Sequence, residues 1–310
     1  MPFRTAFNCL WCGRSWTTRS PRDLEGWAQL CPDCLGRAGD NGFLRSRLRA
    51  AIAERARSSG APAAASTGRP AEGAPPGPLA PPSGDLAAGM VAYYEARAPE
   101  YDDWYLRRGR YAHGPVHDTA WQAELDAAGR WLDALPLRGR IVELAAGTGW
   151  WSPLFAAKGE LTAYDAAPST LDRARERLLA HGLRAHLHVR DAWAEPEGEP
   201  ADALFAGFWV SHVETARLGA FLALARRWLR PGGRLALIDS LPDPMSGALD
   251  HRPPEGERSL RRLADGREFV IVKVHHAPEE LVAALGATGF ADISVATTGR
   301  FFVLATATAA

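Results

Sequence analysis

The chain has 310 residues, of which 46% are hydrophobic and 23% are charged, so the composition excludes wholesale disorder and leaves room for two domains. Its 36 basic and 36 acidic residues give a formal net charge of zero, which excludes a polyelectrolyte that coats nucleic acid or an acidic membrane. No apolar run approaches the ~18–20 residues of a membrane span, and the start of the chain lacks the pattern of a secretory signal. We therefore expect a soluble, cytoplasmic protein.

The first 34 residues contain all four cysteines, as the pairs Cys9–Cys12 and Cys31–Cys34. Each pair is a CxxC motif, and the 18 residues between the pairs fall within the spacing of four-cysteine zinc sites. The motif predicts a zinc ribbon with a structural zinc ion, because four thiolates close a tetrahedral shell and leave no open position for catalysis. A redox CxxC motif and two disulfides are the alternatives, and the absence of a secretory signal disfavours both.

Residues 43–57 have the periodicity of a helix, with Arg45 and Arg49 four residues apart on one face. This helix and the ribbon form the predicted first domain, residues 1–57, with ten Arg against five acidic residues. The ribbon and helix are candidates for contact with RNA or protein, but a solvated Arg-rich face is an equally good interpretation. Residues 58–84 contain seven Pro, five Gly, seven Ala and four Ser, which predicts a disordered linker.

The rest of the chain, residues 85–310, alternates short β-rich runs with longer helical patterns. This alternation predicts an α/β domain whose mostly parallel sheet is covered by helices on both faces, with an antiparallel edge strand formed late in the chain. The predicted strands cover residues 139–143, 161–165, 185–190, 203–208, 234–239, 268–274, 293–295 and 300–306. The predicted helices cover residues 169–181, 216–229 and 278–286, the first with Ser169 as N-cap and Gly182 as C-cap.

A glycine-rich turn, with Gly147 and Gly149, follows the first of these strands. A turn of this kind is shared by dinucleotide-binding and adenosyl-binding folds. The bulky Trp150 and Trp151 that follow leave little room for the diphosphate of a dinucleotide. Asp165 ends the next strand sixteen residues after Gly149, where a carboxylate can accept both ribose hydroxyls.

The motifs ELAAGTG (143–149), AYDAAPSTLDRAR (163–175), RDAW (190–193), FWVSHV (208–213) and WLRPGGRLALIDS (228–240) resemble, as a set, those of class I S-adenosylmethionine-dependent methyltransferases. Within this family the chain is most similar to quinone-biosynthesis and small-molecule methyltransferases. The resemblance implies a Rossmann-like sheet and S-adenosyl-L-methionine as cofactor. It also implies that Glu143, Ala145 and Gly147 surround the methionyl part, that Asp165 binds the ribose, and that Asp191, Ala192 and Trp193 frame the adenine. Ala145 departs from the family pattern, because many members have glycine there.

Upstream, residues 93–102 resemble the N-terminal lid of the family, in which a Tyr and an Arg approach the cofactor carboxylate. The alternative is that these side chains pack one face of a helix. The full set of predicted cofactor-binding residues is Tyr94, Arg97, Tyr101, Glu143, Ala145, Gly147, Gly149, Asp165, Ala166, Asp191, Ala192, Trp193 and Phe208.

His212 is the predicted catalytic base, since it follows the fourth strand at the edge where this fold opens toward a methyl acceptor. The alternative is a histidine that bonds to backbone and lines the pocket. Asp239 is predicted to be structural. The connection 241–267 carries Arg258, Arg261, Arg262 and Arg267, which either cover the pocket and hold an acidic substrate or form a solvated face.

These features predict methyl transfer to O or C of a small organic acceptor. An RNA methyltransferase that uses the ribbon for substrate delivery is the second hypothesis, and a non-catalytic cofactor-binding scaffold is the third. The sequence lacks the Asn/Asp-Pro-Pro-aromatic motif of amino-directed enzymes after the fourth strand, and its cysteines are assigned to metal, both of which disfavour the RNA hypothesis.

Overall fold

The computed structural model describes residues 5–8, 15–18 and 86–310, and the chain divides into two units, Met1–Pro78 and Leu79–Ala310. In the first unit, strand β1 (Thr5–Asn8) pairs antiparallel with β2 (Ser15–Thr18), and Asn8 lies opposite Ser15. The four predicted zinc ligands, the predicted helix 43–57 and the predicted linker 58–84 lie outside the described residues.

The second unit is built on a seven-stranded sheet. Its strands are β3 (Gly139–Leu144), β4 (Gly159–Asp165), β5 (His186–Val189), β6 (Ala201–Gly207), β7 (Leu229–Ser240), β10 (Phe290–Thr297) and β11 (Phe302–Ala309). Its helices are α1 (Leu86–Arg97), α2 (Asp103–Leu106), α3 (Pro115–Ala134), α4 (Ser152–Ala156), α5 (Pro168–Ala180), α6 (Leu218–Trp228) and α7 (Pro278–Ala287), and strands β8 (Arg258–Arg262) and β9 (Glu268–Val272) form a separate two-stranded sheet.

The strand order β10-β11-β7-β6-β3-β4-β5 confirms the predicted mostly parallel sheet. Strands β3, β4, β5, β6 and β7 pair in parallel, whereas β11 pairs antiparallel with both β7 and β10. The antiparallel strand therefore lies one position inside the sheet edge. Because β4 and β6 flank β3 on opposite sides, the direction of winding reverses there, and a crevice opens at the carboxyl ends of β3 and β6.

Helix α5 begins differently from the prediction. Its N-cap residue is Ala167, and Pro168 occupies the first helical position, so Ser169 is not the N-cap. The Ser169 side chain instead bonds to Glu95 of α1, and the Ser169 amide donates to the same carboxylate at 2.9 Å. The other end agrees with the prediction: Gly182 has a φ of +68°, and its amide donates to the carbonyl of Leu179, which closes the last turn.

The strand predicted at 268–274 was expected within the main sheet, but β9 pairs with β8 instead. Residues 258–262, which were predicted to belong to a connection, form the extended strand β8, and β8 pairs with β9 along its whole length. The hairpin packs on α1, where Tyr93 contacts Phe269 with ring centroids 5.6 Å apart. Ile271 and Val272 are buried in the same apolar cluster.

A large apolar core lies between the β7 side of the sheet and helices α6 and α7, and contains Phe221, Leu222 and Leu285, all fully buried. Burial on this scale supplies the main favourable free energy of folding, at roughly 25 cal/mol per Å² of apolar surface. In the part of the chain that the structure describes, none of the helices has the length and apolar character that crossing a bilayer requires.

Candidate functional site

The first cavity, of about 460 Å³, opens at the carboxyl ends of β3, β4 and β6. Nine of the predicted cofactor-binding residues line it: Tyr94, Tyr101, Ala145, Asp165, Ala166, Asp191, Ala192, Trp193 and Phe208. Glu143, Gly147 and Gly149 are not among its lining residues, and Arg97 lines a neighbouring cavity. Helix α1 and the ends of the parallel strands thus bring together residues that are up to 114 positions apart in the chain, counted from Tyr94 to Phe208.

The turn after β3 passes under this cavity in a left-handed conformation. Ala145 has a φ of +51°, which costs an alanine about 1–2 kcal/mol relative to the right-handed regions. Gly147 and Gly149 also have positive φ, and each has a second reason to lack a side chain. A Cβ at Gly147 would lie 3.0 Å from the hydroxyl of Tyr101, and one at Gly149 would lie 2.7 Å from the Cβ of Ala174 on α5.

Asp165 is held in place by three donors, one from the turn after β3 and two from the turn and helix that follow its own strand. Its Oδ2 accepts the amide of Gly147 at 2.8 Å, and its Oδ1 accepts the amide of Ala167 at 2.9 Å and the hydroxyl of Thr170 at 3.1 Å. Burial raises the pKa of the Asp165 carboxyl, and these hydrogen bonds oppose the rise. A carboxylate has about four lone-pair sites, so Asp165 keeps an acceptor for a ligand hydroxyl in the cavity.

Glu143 lies deeper, with only 2% of its surface exposed. The hydroxyl of Ser152 donates to its Oε2 at 2.5 Å. Burial raises the pKa of the Glu143 carboxyl to about 8. This group therefore stands behind the turn, and it is protonated in most molecules at pH 7.

The opposite end of the first cavity is aromatic. Trp193 contacts the ring of Phe221, and the guanidinium of Arg217 lies 4.1 Å from its ring centroid. Asp191 accepts the amide of Trp193 at 2.8 Å, which fixes the turn that follows β5. A flat aromatic surface beside a carboxylate suits a planar, hydrogen-bonding ring.

A second cavity, of about 530 Å³, adjoins the first. Four residues line both cavities and form the wall between them: Tyr94, Tyr101, Phe208 and His212. Phe208 has a φ of +57°, directly after β6, and this left-handed turn carries its ring to the shared wall. We call these four residues the shared wall.

His212 is bonded at both ring nitrogens. Its Nδ1 lies 2.7 Å from the carbonyl oxygen of Val272, and its Nε2 lies 2.6 Å from the hydroxyl of Tyr94. The carbonyl requires a proton on Nδ1, so Nε2 accepts the Tyr94 hydroxyl. Burial, reinforced by the charge of Lys273, lowers the pKa of His212 well below its ordinary value. The imidazole is therefore neutral at pH 7.

The connection 241–267 covers the second cavity and is tied to the segment after α1. Arg107 donates to the carbonyl oxygens of Met245 at 2.7 Å and Ser246 at 3.1 Å, and Arg110 forms an ion pair with Asp250 at 2.5 Å. Of the four arginines singled out from the sequence, Arg261 lines this cavity, while Arg258 pairs with Glu214 and lines the first. Arg262 is exposed, and Arg267 pairs with Asp265.

Sequence analysis missed several residues of the second cavity, among them Trp104, Lys273 and His275. Lys273 lies near the end of the strand predicted at 268–274, but the pairing of that strand with β8, which brings Lys273 to this cavity, was not predicted. Asp239 has the structural role that was expected, because it accepts the amides of Ser211 at 2.8 Å and Ser240 at 2.7 Å.

Comparison with known proteins gives a consistent result. A family profile described as "Methyltransferase domain" matches residues 141–233. The structure of DhpI with SAH is 31% identical with a TM-score of 0.57, and the match covers 72% of this chain and 96% of that one. A complex of DhpI with SAM and HEP is 32% identical with a TM-score of 0.58, covering 73% of this chain and 99% of that one.

Magnesium protoporphyrin IX methyltransferase from Synechocystis PCC 6803, with bound SAM, has a TM-score of 0.50 at 17% identity, covering 74% of this chain and all of that one, and shows the same fold. No curated protein sequence gives a significant match. The matched profile covers β3 to the start of β7, which carry the first cavity, and the DhpI structures extend the match over nearly their whole length. The chain belongs to the S-adenosylmethionine-dependent methyltransferases.

Proposed function

We propose that the chain transfers the methyl group of S-adenosylmethionine to an oxygen or carbon atom of a small organic acceptor held in the second cavity. The observation that supports this proposal best is that the two cavities adjoin and share four lining residues, so that ligands bound in them lie side by side. Methyl transfer is an in-line displacement. The acceptor atom must therefore lie close to the methyl group, in line with the sulfur, in a site that excludes water.

The first cavity fits the cofactor in size and in chemistry. Its volume of about 460 Å³ lies within the range of small-molecule sites, and Asp165 retains an acceptor for a ribose hydroxyl. When bound, the cofactor supplies a methyl group on a positively charged sulfur. We assign Asp165 and Ala166 to the ribose, the residues from Asp191 to Trp193 to the adenine, and Tyr94 and Tyr101 to the methionyl end.

His212 is the candidate base for an acceptor that must lose a proton. Its neutral Nε2 accepts the hydroxyl of Tyr94, and Tyr94 lines both cavities. A proton that leaves the acceptor would therefore pass to the Tyr94 oxygen while the Tyr94 proton passes to His212 Nε2. The depressed pKa makes His212 a weak base, so this route serves an acceptor that needs only partial deprotonation.

The small size of the proposed acceptor is supported by the volume of the second cavity, about 530 Å³, and by the DhpI comparison. The DhpI complex contains SAM and HEP together in a chain that this one matches over 99% of its length. The second cavity is closed on one side by the connection 241–267 and on the other by α1 and the segment after it. An opening of this kind suits a metabolite better than a folded RNA.

We also propose that Cys9, Cys12, Cys31 and Cys34 hold a structural zinc ion. The pairing of Asn8 with Ser15 supports it, because the first CxxC motif then falls in the connection of an antiparallel strand pair. Two paired strands flanking a CxxC motif are the usual frame of a zinc knuckle. Whether this unit contacts RNA or protein stays a prediction.

The function is tested by incubating the full chain with methyl-labelled S-adenosylmethionine and an extract of the source cells. We expect label in the small-molecule fraction and none in the RNA or protein fractions.

Asp165→Ala should abolish labelling through lost cofactor affinity, measured by calorimetry. His212→Ala should lower turnover by ~10² or more if it is the base. Label in RNA alone would contradict the proposal and favour delivery by the N-terminal unit.

A further inference from the structure

In the described part of the chain, four cations line the second cavity: Arg252, which is exposed, and three that are buried or half-buried, Arg97, Arg261 and Lys273. Arg97 ends α1, Arg261 lies on β8, and Lys273 directly follows β9. Burial, with the nearby charges of Arg261 and Arg97, lowers the pKa of the Lys273 ammonium to about 8, against the opposing charge of Asp239. Lys273 is therefore still largely protonated at pH 7, and the three side chains place like charges around one cavity.

Arg97 is the most deeply buried of the three, with 9% of its surface exposed. Its guanidinium is surrounded by the rings of Tyr101 at 4.6 Å, Tyr93 at 5.7 Å, Tyr111 at 5.8 Å and Tyr94 at 6.0 Å. Aromatic faces attract a cation but do not neutralise its charge. Among the described residues, its buried Nε has no hydrogen-bond partner, and none of the ion pairs found there includes Arg97.

Carboxylates that could balance these cations are already engaged. Asp243 is the one carboxylate among the described residues that line the second cavity, and it pairs with Arg300 at 2.6 Å and accepts the amide of Met245 at 2.8 Å. Asp239 lies 4.0 Å from Lys273 Nζ and supplies a counter-charge to it, while its oxygens also accept two backbone amides, so it balances Lys273 but not Arg97 or Arg261. Lys273 itself donates to the hydroxyl of Ser211 at 2.9 Å.

A buried cation without a counter-charge costs several kcal/mol, so a protein that keeps one in a cavity gains from an anion that enters it. The walls of the cavity also include the aromatic rings of Trp104, Tyr105 and Phe208, which suit an apolar body. The cavity is therefore cationic at the end formed by α1 and the β8–β9 hairpin, and aromatic along Trp104, Tyr105 and Phe208.

From this arrangement we infer that the methyl acceptor carries an oxyanion, a carboxylate or a phosphate, which Arg97, Arg261 and Lys273 bind while the apolar part of the acceptor contacts the aromatic walls. The inference rests on the proposed function, because it names the chemical class of the acceptor in the same cavity. Arg97, which the family resemblance placed at the cofactor, is thereby assigned to the acceptor.

The test uses the full chain saturated with S-adenosylhomocysteine, so that added probes compete for the second cavity alone. Calorimetry compares benzoate, phenyl phosphate and the neutral benzyl alcohol. We expect at least one of the two anions to bind tenfold or more tightly than the alcohol, since a charge-assisted hydrogen bond contributes about that factor or more. Whichever of benzoate and phenyl phosphate binds more tightly identifies the class of oxyanion.

Variants then locate the binding. Arg261→Gln and Lys273→Met should each lower the affinity for the more tightly bound anion about tenfold or more. The affinities for benzyl alcohol and S-adenosylhomocysteine should stay unchanged. Arg262→Gln is the matched control, because it is an exposed neighbour on the same strand, outside the cavity lining. Equal affinity for anion and alcohol, or full anion affinity in both cavity variants, would overturn the inference.

A second measurement separates this inference from the proposed function. Passing the cell extract over an anion-exchange resin before the labelling reaction should remove the acceptor and abolish label in the small-molecule fraction. Undiminished labelling after the resin would overturn the inference and leave the proposed function standing. An absence of small-molecule label in the untreated extract would instead count against the proposed function, while the anion titrations remain a separate test of the cavity.

Discussion

The buried carboxyl of Glu143 makes the stability of the folded chain depend on pH. It is 2% exposed, and burial raises the pKa of its carboxyl to about 8, whereas the same group in the unfolded chain loses its proton near pH 4.5. Between these two values the folded chain binds more protons at this site than the unfolded chain. The free energy of unfolding therefore falls as the pH rises from about 4.5 to about 8. Above about pH 8 the buried carboxylate is ionised and destabilises the folded chain by its full amount.

Replacing Glu143 by Gln should remove this pH dependence. The amide keeps an oxygen that can accept the Ser152 hydroxyl and has no proton to lose. We expect the free energy of unfolding of Glu143→Gln, measured by urea denaturation of the cofactor-free chain, to rise relative to that of the parent as the pH rises. The difference between variant and parent should be larger at pH 8.5 than at pH 5 by more than about 1 kcal/mol. The matched control is Glu160→Gln on β4, whose side chain is 65% exposed. A constant difference across this pH range would contradict the assignment.

Some residues of the site could be predicted from the sequence because each ends a parallel strand. Asp165 and Asp191 follow β4 and β5, and the rule that ligands bind at carboxyl ends placed them at the first cavity. Lys273 and Trp104 could not be placed in this way. Their position depends on which segments pack over the sheet, and that choice is set by contacts between residues far apart in the chain.

At the scale of elements, α1 caps α5. The N-cap residue of α5 is Ala167, which has no side-chain acceptor for the first-turn amides. Glu95 of α1 supplies one, because its carboxylate accepts the amide of Ser169 at 2.9 Å and the Ser169 hydroxyl. A carboxylate at a helix N-terminus also interacts favourably with the helix dipole. Helix α1, which carries Tyr94 and Arg97, is therefore held against the domain in part by these hydrogen bonds to the first turn of α5.

We expect Glu95→Ala to lower the free energy of unfolding by about 0.5–2 kcal/mol, the usual value of an N-cap. It should also weaken S-adenosylmethionine binding, because Tyr94 on the same helix lines the first cavity. Asp172→Ala is the control, since Asp172 pairs with Arg175 on the exposed surface of α5 and such pairs contribute little. Cofactor affinity in Glu95→Ala equal to that of the parent would show that α1 docks without this cap.

The same element explains why the start of α5 was misassigned. Ser169 followed by a helical pattern has the composition of an N-cap, and local rules contain no competing signal. The acceptor that satisfies this helix comes from 74 residues upstream, across an interface that the sequence does not reveal. The C-terminal end was predicted correctly because Gly182 closes it through contacts within five residues.

At the scale of the whole molecule, the chain joins two segments that differ in charge. Residues 85–310 bury a large apolar core and carry 25 basic against 30 acidic residues, whereas residues 1–57 carry ten Arg against five acids. Residues 58–84 offer almost no large apolar side chain that could bury surface against either unit. We therefore expect the two units to function independently.

This expectation leads to a prediction for Cys31→Ser with Cys34→Ser. The parent should contain one zinc ion per chain by elemental analysis, and the double variant should contain none, because two thiolates cannot complete a tetrahedral site. Affinity for S-adenosylmethionine and label in the small-molecule fraction should both stay within twofold of the parent. Loss of labelling with cofactor affinity retained would mean that the N-terminal unit delivers the acceptor, which is the behaviour expected of an RNA-directed enzyme and not of the one proposed here.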